Sequence, residues 1–278
     1  MEYLENAFKF FGKYMLLIVP LLIISIVRSI MSAPGFEKID EALNEMSDLV
    51  IAKGDIAGID FHGVVVQLAP SFDLIIHSFL LALLLSLFVL PATYGMIIKG
   101  YETGKTGLGA FFTSFKKYFL KYMKYFLGVV LFFVVVGVIL FFVLLMFAIL
   151  FSINLLLGLI FLAIVAIVAL IMFCALFNIL NIWFIAMAWD NMKVFSAMSK
   201  SYELVKSYFW SSVGITFTIG FLYITINALI GGVLEAIFIV GPVVKSFFAV
   251  MCIYVLIVFG FEIYRDRTNK ETAQRDYL

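Results

Sequence analysis

Residues Trp189 to Trp210 read WDNMKVFSAMSKSYELVKSYFW, a charged stretch between two strongly apolar segments. On a helix its apolar side chains share one face, its lysines lie on the other, and Asp190 is placed to act as the N-cap. A helix divided in this way is typical of the membrane interface. The stretch therefore predicts an interfacial helix over residues 190–208. The positions that define it are Lys193, Phe195, Met198, Lys200, Tyr202 and Phe209.

Composition places the rest of the chain in a membrane. Hydrophobic residues make up 65% of the 278 residues and charged residues 13%, whereas soluble domains average about 25% charged residues. A bilayer span needs about 20 apolar residues in succession, and several such runs occur. We expect a single polytopic, all-α integral membrane domain over residues 1–278. We expect no cofactor, no metal and no nucleic-acid partner.

Apolar runs bounded by charged residues predict six spans. The uncharged run 126–188 would measure about 95 Å as one helix, against a hydrocarbon core of about 30 Å. It must therefore turn back, and Phe151–Asn154 holds the polar pair near its middle. The spans are expected at about 14–30, 74–98, the two halves of the uncharged run, 211–230 and 243–264.

The distribution of charge predicts how these spans are oriented. Lysines concentrate in segments 99–124 and 190–208, and arginines in the tail 265–278, whereas segment 31–73 is acidic. Basic segments stay on the cytoplasmic side of a membrane. We therefore expect a protein of the cell membrane with both termini cytoplasmic. Segment 31–73 is expected to be an extracytoplasmic loop, with an amphipathic helix on the stripe Phe36, Ile39 and Leu43.

The opening stretch has two earlier counterparts, which suggest three repeats. Similar aromatic patterns precede the first span and lie within segment 99–124, and Tyr14, Tyr125 and Tyr208 occupy equivalent positions. The six spans are thus predicted to form three hairpins, each preceded by a cytoplasmic-side interfacial helix. Because basic residues attract anionic headgroups, the expected partners are anionic lipids of the inner leaflet, beside a possible protein partner in the membrane.

Part of the pattern resembles a known family. The shared residues are Asp190-Asn191, Ala197, Ser201–Lys206 and Phe209-Trp210, together with Pro91, Gly95, Gly104, Phe111-Phe112 and Phe115. Over about residues 85–264 the chain resembles the membrane domain of glycerophosphoryl diester phosphodiesterases and related uncharacterised six-span proteins of bacteria and archaea. In those enzymes the chemistry belongs to a separate soluble domain. The resemblance therefore implies the membrane fold, and no catalytic residue can be carried over from it.

Five polar residues within the predicted spans are the candidate site. Polar groups in hydrocarbon mark either hydrogen bonds between helices or a polar path. Asn178 and Asn181 lie three residues apart on one span, so their side chains are expected to face similar directions. Glu262 lies near a span end, where a charged group is expected to reach the interface. The candidate intramembrane positions are Asn178, Asn181, Thr216, Thr225 and Asn227.

Two other motifs suggest chemistry and are better explained as structure. The sequence GYETGKT at 100–106 has three residues between its glycines where a phosphate-binding loop has four, and it follows a membrane span rather than a strand. Asp73 and His77 could place two metal ligands on one helix face, with His62 near them in sequence. A second pair of ligands is lacking.

Two classes of function remain open. The first is a non-enzymatic membrane scaffold, accessory or bilayer-sensing protein. The alternative is a small permease or lipid-handling transporter, with a cavity between hairpins lined by the five polar positions. An embedded enzyme ranks third, because no acid–base or nucleophile constellation is visible.

Overall fold

The computed structural model describes residues 2–53, 61–234 and 240–269. Over these ranges the protein consists of helices and short connections, without a β-strand. Short 3-10 helices at Met15–Ile18 and Leu108–Ala110 precede the second and fourth α-helices. The α-helices are α1 (Glu2–Lys13), α2 (Val19–Lys53), α3 (Phe61–Thr103), α4 (Phe111–Ile153), α5 (Leu155–Trp189), α6 (Val194–Ser207), α7 (Phe209–Leu234) and α8 (Val240–Arg267).

Six of these helices are long and apolar enough to cross a membrane: α2, α3, α4, α5, α7 and α8. Helices α1 and α6 have 12 and 14 residues, fewer than the about 20 that a span needs. The predicted all-α membrane fold with six spans is therefore confirmed. The protein is a multi-pass membrane protein.

The turn that divides the long uncharged run lies where the sequence predicted it. Helix α4 ends at Ile153, and Asn154 adopts an extended conformation as the N-cap of α5. Its side-chain oxygen accepts hydrogen bonds from the backbone N–H of Leu156 at 2.8 Å and of Leu157 at 3.3 Å. Asparagine is among the preferred N-cap residues because its side chain satisfies these otherwise unpaired donors. This prediction is confirmed.

The acidic segment differs from its prediction as a loop. Helix α2 runs without interruption to Lys53, and α3 begins at Phe61, so most of segment 31–73 is helical. The amphipathic helix expected there is a continuation of α2. Its apolar stripe is not the packed face, since Phe36 and Leu43 are exposed. Helix α2 even continues through Pro34, so charge shows where a span leaves the hydrocarbon rather than where its helix ends.

The second predicted interfacial helix is also wrong as a separate element. Residues 99–103 belong to the end of α3, and α4 is one unbroken helix from Phe111 to Ile153. Its 43 residues measure about 64 Å, so its lysine-bearing first turns extend beyond a core of about 30 Å. No proline or glycine interrupts residues 112–127, and nothing local ends the helix there. By contrast, α1 and α6 are separate helices.

The chain divides into two compact units. One comprises Met1–Leu17, Pro91–Ile224 and Cys252–Leu278, and the other Ile18–Leu90 and Thr225–Met251. The first unit contains the largest fully buried aromatic side chains, which are Trp183, Tyr101, Tyr254, Tyr264, Phe10, Phe184, Phe259 and Phe261.

In the second unit, small residues bring α2 and α3 together. Ser32, Ala42, Ser71 and Ser78 are buried. A Cβ on Gly35 would lie 2.8 Å from the Ser71 carbonyl oxygen, closer than van der Waals contact permits. This is the small-residue packing common between membrane helices, where backbones approach closely.

Candidate functional site

Asn178 forms a buried hydrogen bond between α5 and α7. Its amide nitrogen donates to the Thr216 hydroxyl at 2.7 Å and to the Cys174 carbonyl of its own helix at 2.8 Å. Asn178 and Thr216 are both buried. Two of the five predicted polar positions therefore meet, and they meet each other rather than an open path.

Asn181 connects three helices. Its amide nitrogen donates to the α8 carbonyl oxygens of Leu256 at 2.9 Å and Ile257 at 3.3 Å. Its side-chain oxygen accepts from the Tyr94 hydroxyl of α3 at 2.7 Å. Although Asn178 and Asn181 lie three residues apart, their amides bond different helices. Asn178 bonds α7, whereas Asn181 bonds α3 and α8.

Gly260 makes the Asn181 contact possible. A Cβ at this position would lie 2.3 Å from the Asn181 amide nitrogen and 3.0 Å from its amide carbon. Residue 260 lies one turn after Leu256 on α8, so a side chain there would cover the carbonyl that Asn181 reaches. Sequence reasoning missed Gly260. The available signal was a glycine within an apolar span, a position where two helices often approach closely.

Thr225 and Asn227 are not in the compact unit that contains the other three predicted positions. They belong to the last part of α7, which is in the second unit, whereas Asn178, Asn181 and Thr216 belong to the first. Both side chains are half-buried, and both take part in interactions. The structure therefore does not gather the five predicted positions into one compact unit.

Glu262 forms a buried charged cluster at the C-terminal part of α8. Its side chain is 1% exposed, and Arg265, one turn later, is 14% exposed. One carboxylate oxygen accepts from the Tyr101 hydroxyl at 2.6 Å, and the other lies 2.7 Å from an Arg265 guanidinium nitrogen. The expectation that Glu262 reaches the interface is wrong. A nearby arginine and a tyrosine hydroxyl stabilise the carboxylate where it is.

Aromatic rings pack against the Tyr101 side of this cluster. The Tyr101 ring stacks on Phe10 with centroids 4.7 Å apart, and on Phe261 at 5.7 Å. The Arg265 guanidinium carbon lies 5.7 Å from the Tyr101 ring centroid. The charged pair therefore lies against a stacked aromatic ring and is buried, and a low local dielectric strengthens the attraction between the charges.

Asp190 lies at the C-terminal end of α5, just before α6. The Tyr264 hydroxyl donates to the Asp190 carboxylate, whereas the N-cap position of α6 is Lys193, without a side-chain cap. The prediction that Asp190 caps this helix is wrong. Asp190 instead ends α5, and Asn191 adopts a positive φ of 55° that turns the chain toward α6. Asparagine tolerates this left-handed conformation better than most residues.

Tyr3 anchors the N-terminal helix. Its hydroxyl lies 2.7 Å from the Tyr208 hydroxyl and donates to the Asp266 carboxylate at 2.7 Å. Burial raises the pKa of Tyr3, and its bonds to Tyr208 and Asp266 raise it further. The Arg267 guanidinium carbon lies 4.3 Å from the Tyr208 ring centroid. Tyr208 is thus engaged by the side chains of Tyr3 and Arg267.

Tyr14 and Tyr125, the equivalents of Tyr208, also make internal hydrogen bonds. The Tyr14 hydroxyl donates to the Gly104 carbonyl at 2.5 Å, and the Tyr125 hydroxyl donates to the Leu180 carbonyl at 3.0 Å. The three tyrosines therefore share the role of joining segments that are distant in sequence, although Tyr125 lies within α4.

Helix α6 presents a small-residue face to the protein. Ala197, Ser201, Leu204 and Val205 are buried, and the Trp183 indole of α5 donates to the Val194 carbonyl at 2.7 Å. The predicted aromatic stripe is divided: Phe195 and Tyr202 are 69% and 57% exposed, whereas Met198 and Phe209 are half-buried. Lys193 is exposed and Lys200 half-buried.

The two motifs that suggested chemistry form local structure. His77 Nδ1 lies 2.8 Å from the Asp73 carbonyl oxygen and 3.3 Å from its carboxylate, so these residues contact each other, and the His62 side chain lies outside the described ones. Within the described ranges, no group of three or more histidine, cysteine or acidic side chains could hold a metal ion. In the GYETGKT segment, Gly104 has a φ of 66° and forms a turn after α3.

Comparison of the chain with protein-family models, with curated proteins and with solved structures finds no match.

Proposed function

We propose that this protein is a non-enzymatic membrane scaffold or accessory protein, and one observation carries the proposal. The amide nitrogen of Asn178 and both polar atoms of the Asn181 amide take part in buried hydrogen bonds between helices. In membranes such bonds hold helices together, whereas a transport path needs polar groups that meet water or substrate. The same contacts count against a permease whose cavity is lined by these amides.

The charge pattern supports a location in the cell membrane with both termini cytoplasmic. Lys116 and Lys124 of α4 and Lys193 before α6 are exposed, and basic segments are retained on the inner side. In this orientation α6 lies at the inner leaflet, with Phe195 and Tyr202 available to lipid. Anionic lipids are then its expected partners, because lysine near an anionic surface is stabilised by about 1 kcal/mol.

The resemblance to the phosphodiesterase membrane domain fits the same proposal. In that family the membrane domain accompanies a soluble domain that performs the chemistry. An accessory role beside a protein partner is therefore the function that the resemblance would imply for this chain. The buried Glu262 carboxylate also fits a structural role, since Tyr101 and Arg265 engage both of its oxygens.

The closed character of the bundle can be tested by thiol accessibility. Thr216, which is buried against Asn178, is replaced by cysteine in a chain whose Cys174 and Cys252 are changed to alanine. We expect no reaction with a small water-soluble methanethiosulfonate reagent in membranes. A cysteine at the exposed Ser199 of α6 is the matched control and should react. Equal reaction at both positions would favour the permease and refute the scaffold.

The proposed orientation of the protein in the membrane can be tested by labelling single cysteines. In the same cysteine-free chain, single cysteines replace Glu41, Lys116 or Ser199, all of which are exposed. An impermeant maleimide applied to intact cells should label only the cysteine at position 41, because basic segments remain inside. Permeabilised cells should show labelling at all three positions. Labelling of position 116 from outside would contradict the proposed topology.

A further inference from the structure

A small cavity opens between the end of α3 and the beginning of α4. Its volume is about 180 Å³, room for roughly six water molecules at about 30 Å³ each. Lys99 and Glu102 line it from α3, and Ser114, Lys117 and Tyr118 from α4. A space of this size can hold a tetrahedral anion such as a phosphate group.

Gly95 forms the base of this cavity and brings the two helices together. A Cβ there would lie 2.5 Å from the Tyr118 ring and 2.7 Å from the Ser114 Cβ. Tyr118 and Ser114 are buried. The cavity is therefore lined on one side by the close packing of α3 on α4.

The charge of the lining is positive. Two lysines, Lys99 and Lys117, oppose the single carboxylate of Glu102. Among the ion pairs of the described residues, neither lysine has a carboxylate within 4 Å. The Lys117 ammonium and the Lys121 ammonium each lie 5.1 Å from the Tyr118 ring centroid. An anion in the cavity would thus meet Lys99 and Lys117, whereas Lys121 donates to the Ala188 carbonyl.

Apolar residues precede and flank the cavity residues in the sequences of α3 and α4. Lys99 directly follows the apolar run of α3, which places the cavity at a membrane boundary. Phe112, which is 74% exposed, and Leu120, which is also exposed, flank the cavity residues in the sequence of α4. A phospholipid needs a basic surface for its phosphate and an apolar surface for its chains. A basic pocket beside exposed apolar side chains at the end of a span offers both.

We propose that this cavity binds the phosphate of an anionic phospholipid. Lys99 and Lys117 would neutralise the phosphate, and the Ser114 and Tyr118 hydroxyl groups that line the cavity can donate hydrogen bonds to it. The proposal rests on the proposed function and deepens it, because it names the lipid class and a second contact point distinct from α6. A free phosphate ion has the same chemistry, so the two sources are separated by experiment.

The test measures binding of the first lipid to the full-length chain in detergent by native mass spectrometry. The probes are dioleoyl-phosphatidylglycerol, dioleoyl-phosphatidylcholine and inorganic phosphate. We expect one phosphatidylglycerol to bind at least tenfold more tightly than phosphatidylcholine. Because each lysine contributes about fivefold, or about 1 kcal/mol, at an anionic surface, the double variant Lys99→Gln/Lys117→Gln should weaken the first binding step about 25-fold.

The matched control is Lys116→Gln/Lys124→Gln, which removes two exposed lysines of the same helix outside the cavity. Because these lysines do not line the cavity and exposed charges are screened by salt, the control should leave the first binding step within about twofold. Equal losses in both double variants, or equal binding of the two lipids, would overturn the site in favour of general surface attraction. Displacement of the lipid by millimolar phosphate would overturn the lipid assignment in favour of a soluble anion.

This measurement is independent of the test of the scaffold. Lipid binding in detergent does not depend on whether position 216 is open to water. A reactive cysteine at 216 would refute the scaffold without affecting the lipid-site proposal. The absence of lipid selectivity would refute the lipid site without affecting the scaffold.

Discussion

Replacement of Glu262 by leucine is expected to destabilise the protein by about 3 kcal/mol, because it leaves the Arg265 charge without its partner. The carboxylate is 1% exposed, and Arg265 is 14% exposed, so the arginine cannot regain full hydration where it stands. The Tyr101 hydroxyl loses its acceptor in the same change. The measurement is the free energy of unfolding by SDS titration of the purified protein in mixed micelles.

Two further variants separate the charge from the hydrogen bond. Glu262→Gln keeps an acceptor for Tyr101 and removes only the charge, so its cost should be smaller than that of leucine. The double variant Glu262→Leu/Arg265→Leu removes both charges, and replacing a whole buried pair by apolar residues is often neutral. It should therefore be more stable than Glu262→Leu alone. A double variant no more stable than Glu262→Leu would contradict this account.

The second large effect is expected for Gly260→Ala. The new methyl group would lie 2.3 Å from the Asn181 amide nitrogen, so Asn181 must withdraw from the Leu256 and Ile257 carbonyls or α8 must shift. Overpacking of this kind costs about 1–3 kcal/mol. The same SDS titration measures it. A second readout is the loss of cross-linking between cysteines placed on α5 and α8.

Gly220→Ala is the matched control for this prediction. Gly220 lies in α7 with no atom near its Cβ position, so alanine there should be neutral or slightly stabilising, since alanine favours a helix more than glycine does. Shortening the amide in Asn181→Ala should also rescue Gly260→Ala, so the two changes together should cost less than their sum. Strict additivity would show that the clash is not with Asn181.

The sequence predicted the spans well because a span is a property of a single segment. Hydrocarbon excludes charge, so apolar runs between lysines and carboxylates show where helices cross, and six such helices are present. The turn at Asn154 was predictable for a similar reason, because an uncharged run of that length must reverse within the membrane. Its asparagine supplies the N-cap locally.

Helix ends outside the membrane were less predictable. Charge in segment 31–73 and in segment 99–124 suggested a loop and a separate helix, yet α2 continues to Lys53 and α4 is unbroken. Charged and polar residues are acceptable in a helix that has left the hydrocarbon, so a change of composition does not end it. Helix α6 is separate because Asn191 supplies the left-handed turn before it.

By itself the sequence determined the class of the protein, the number of its spans and the turn at Asn154, since each depends on hydrophobicity or capping within one segment. Only the tertiary structure decided which partner each polar side chain takes. Asn178 meets Thr216, Asn181 meets α8 through the space at Gly260, and Glu262 meets Tyr101. The partners lie between 38 and 161 residues apart in the chain. Such pairings depend on how close two helices approach and at what level, and a pattern along one helix contains neither quantity.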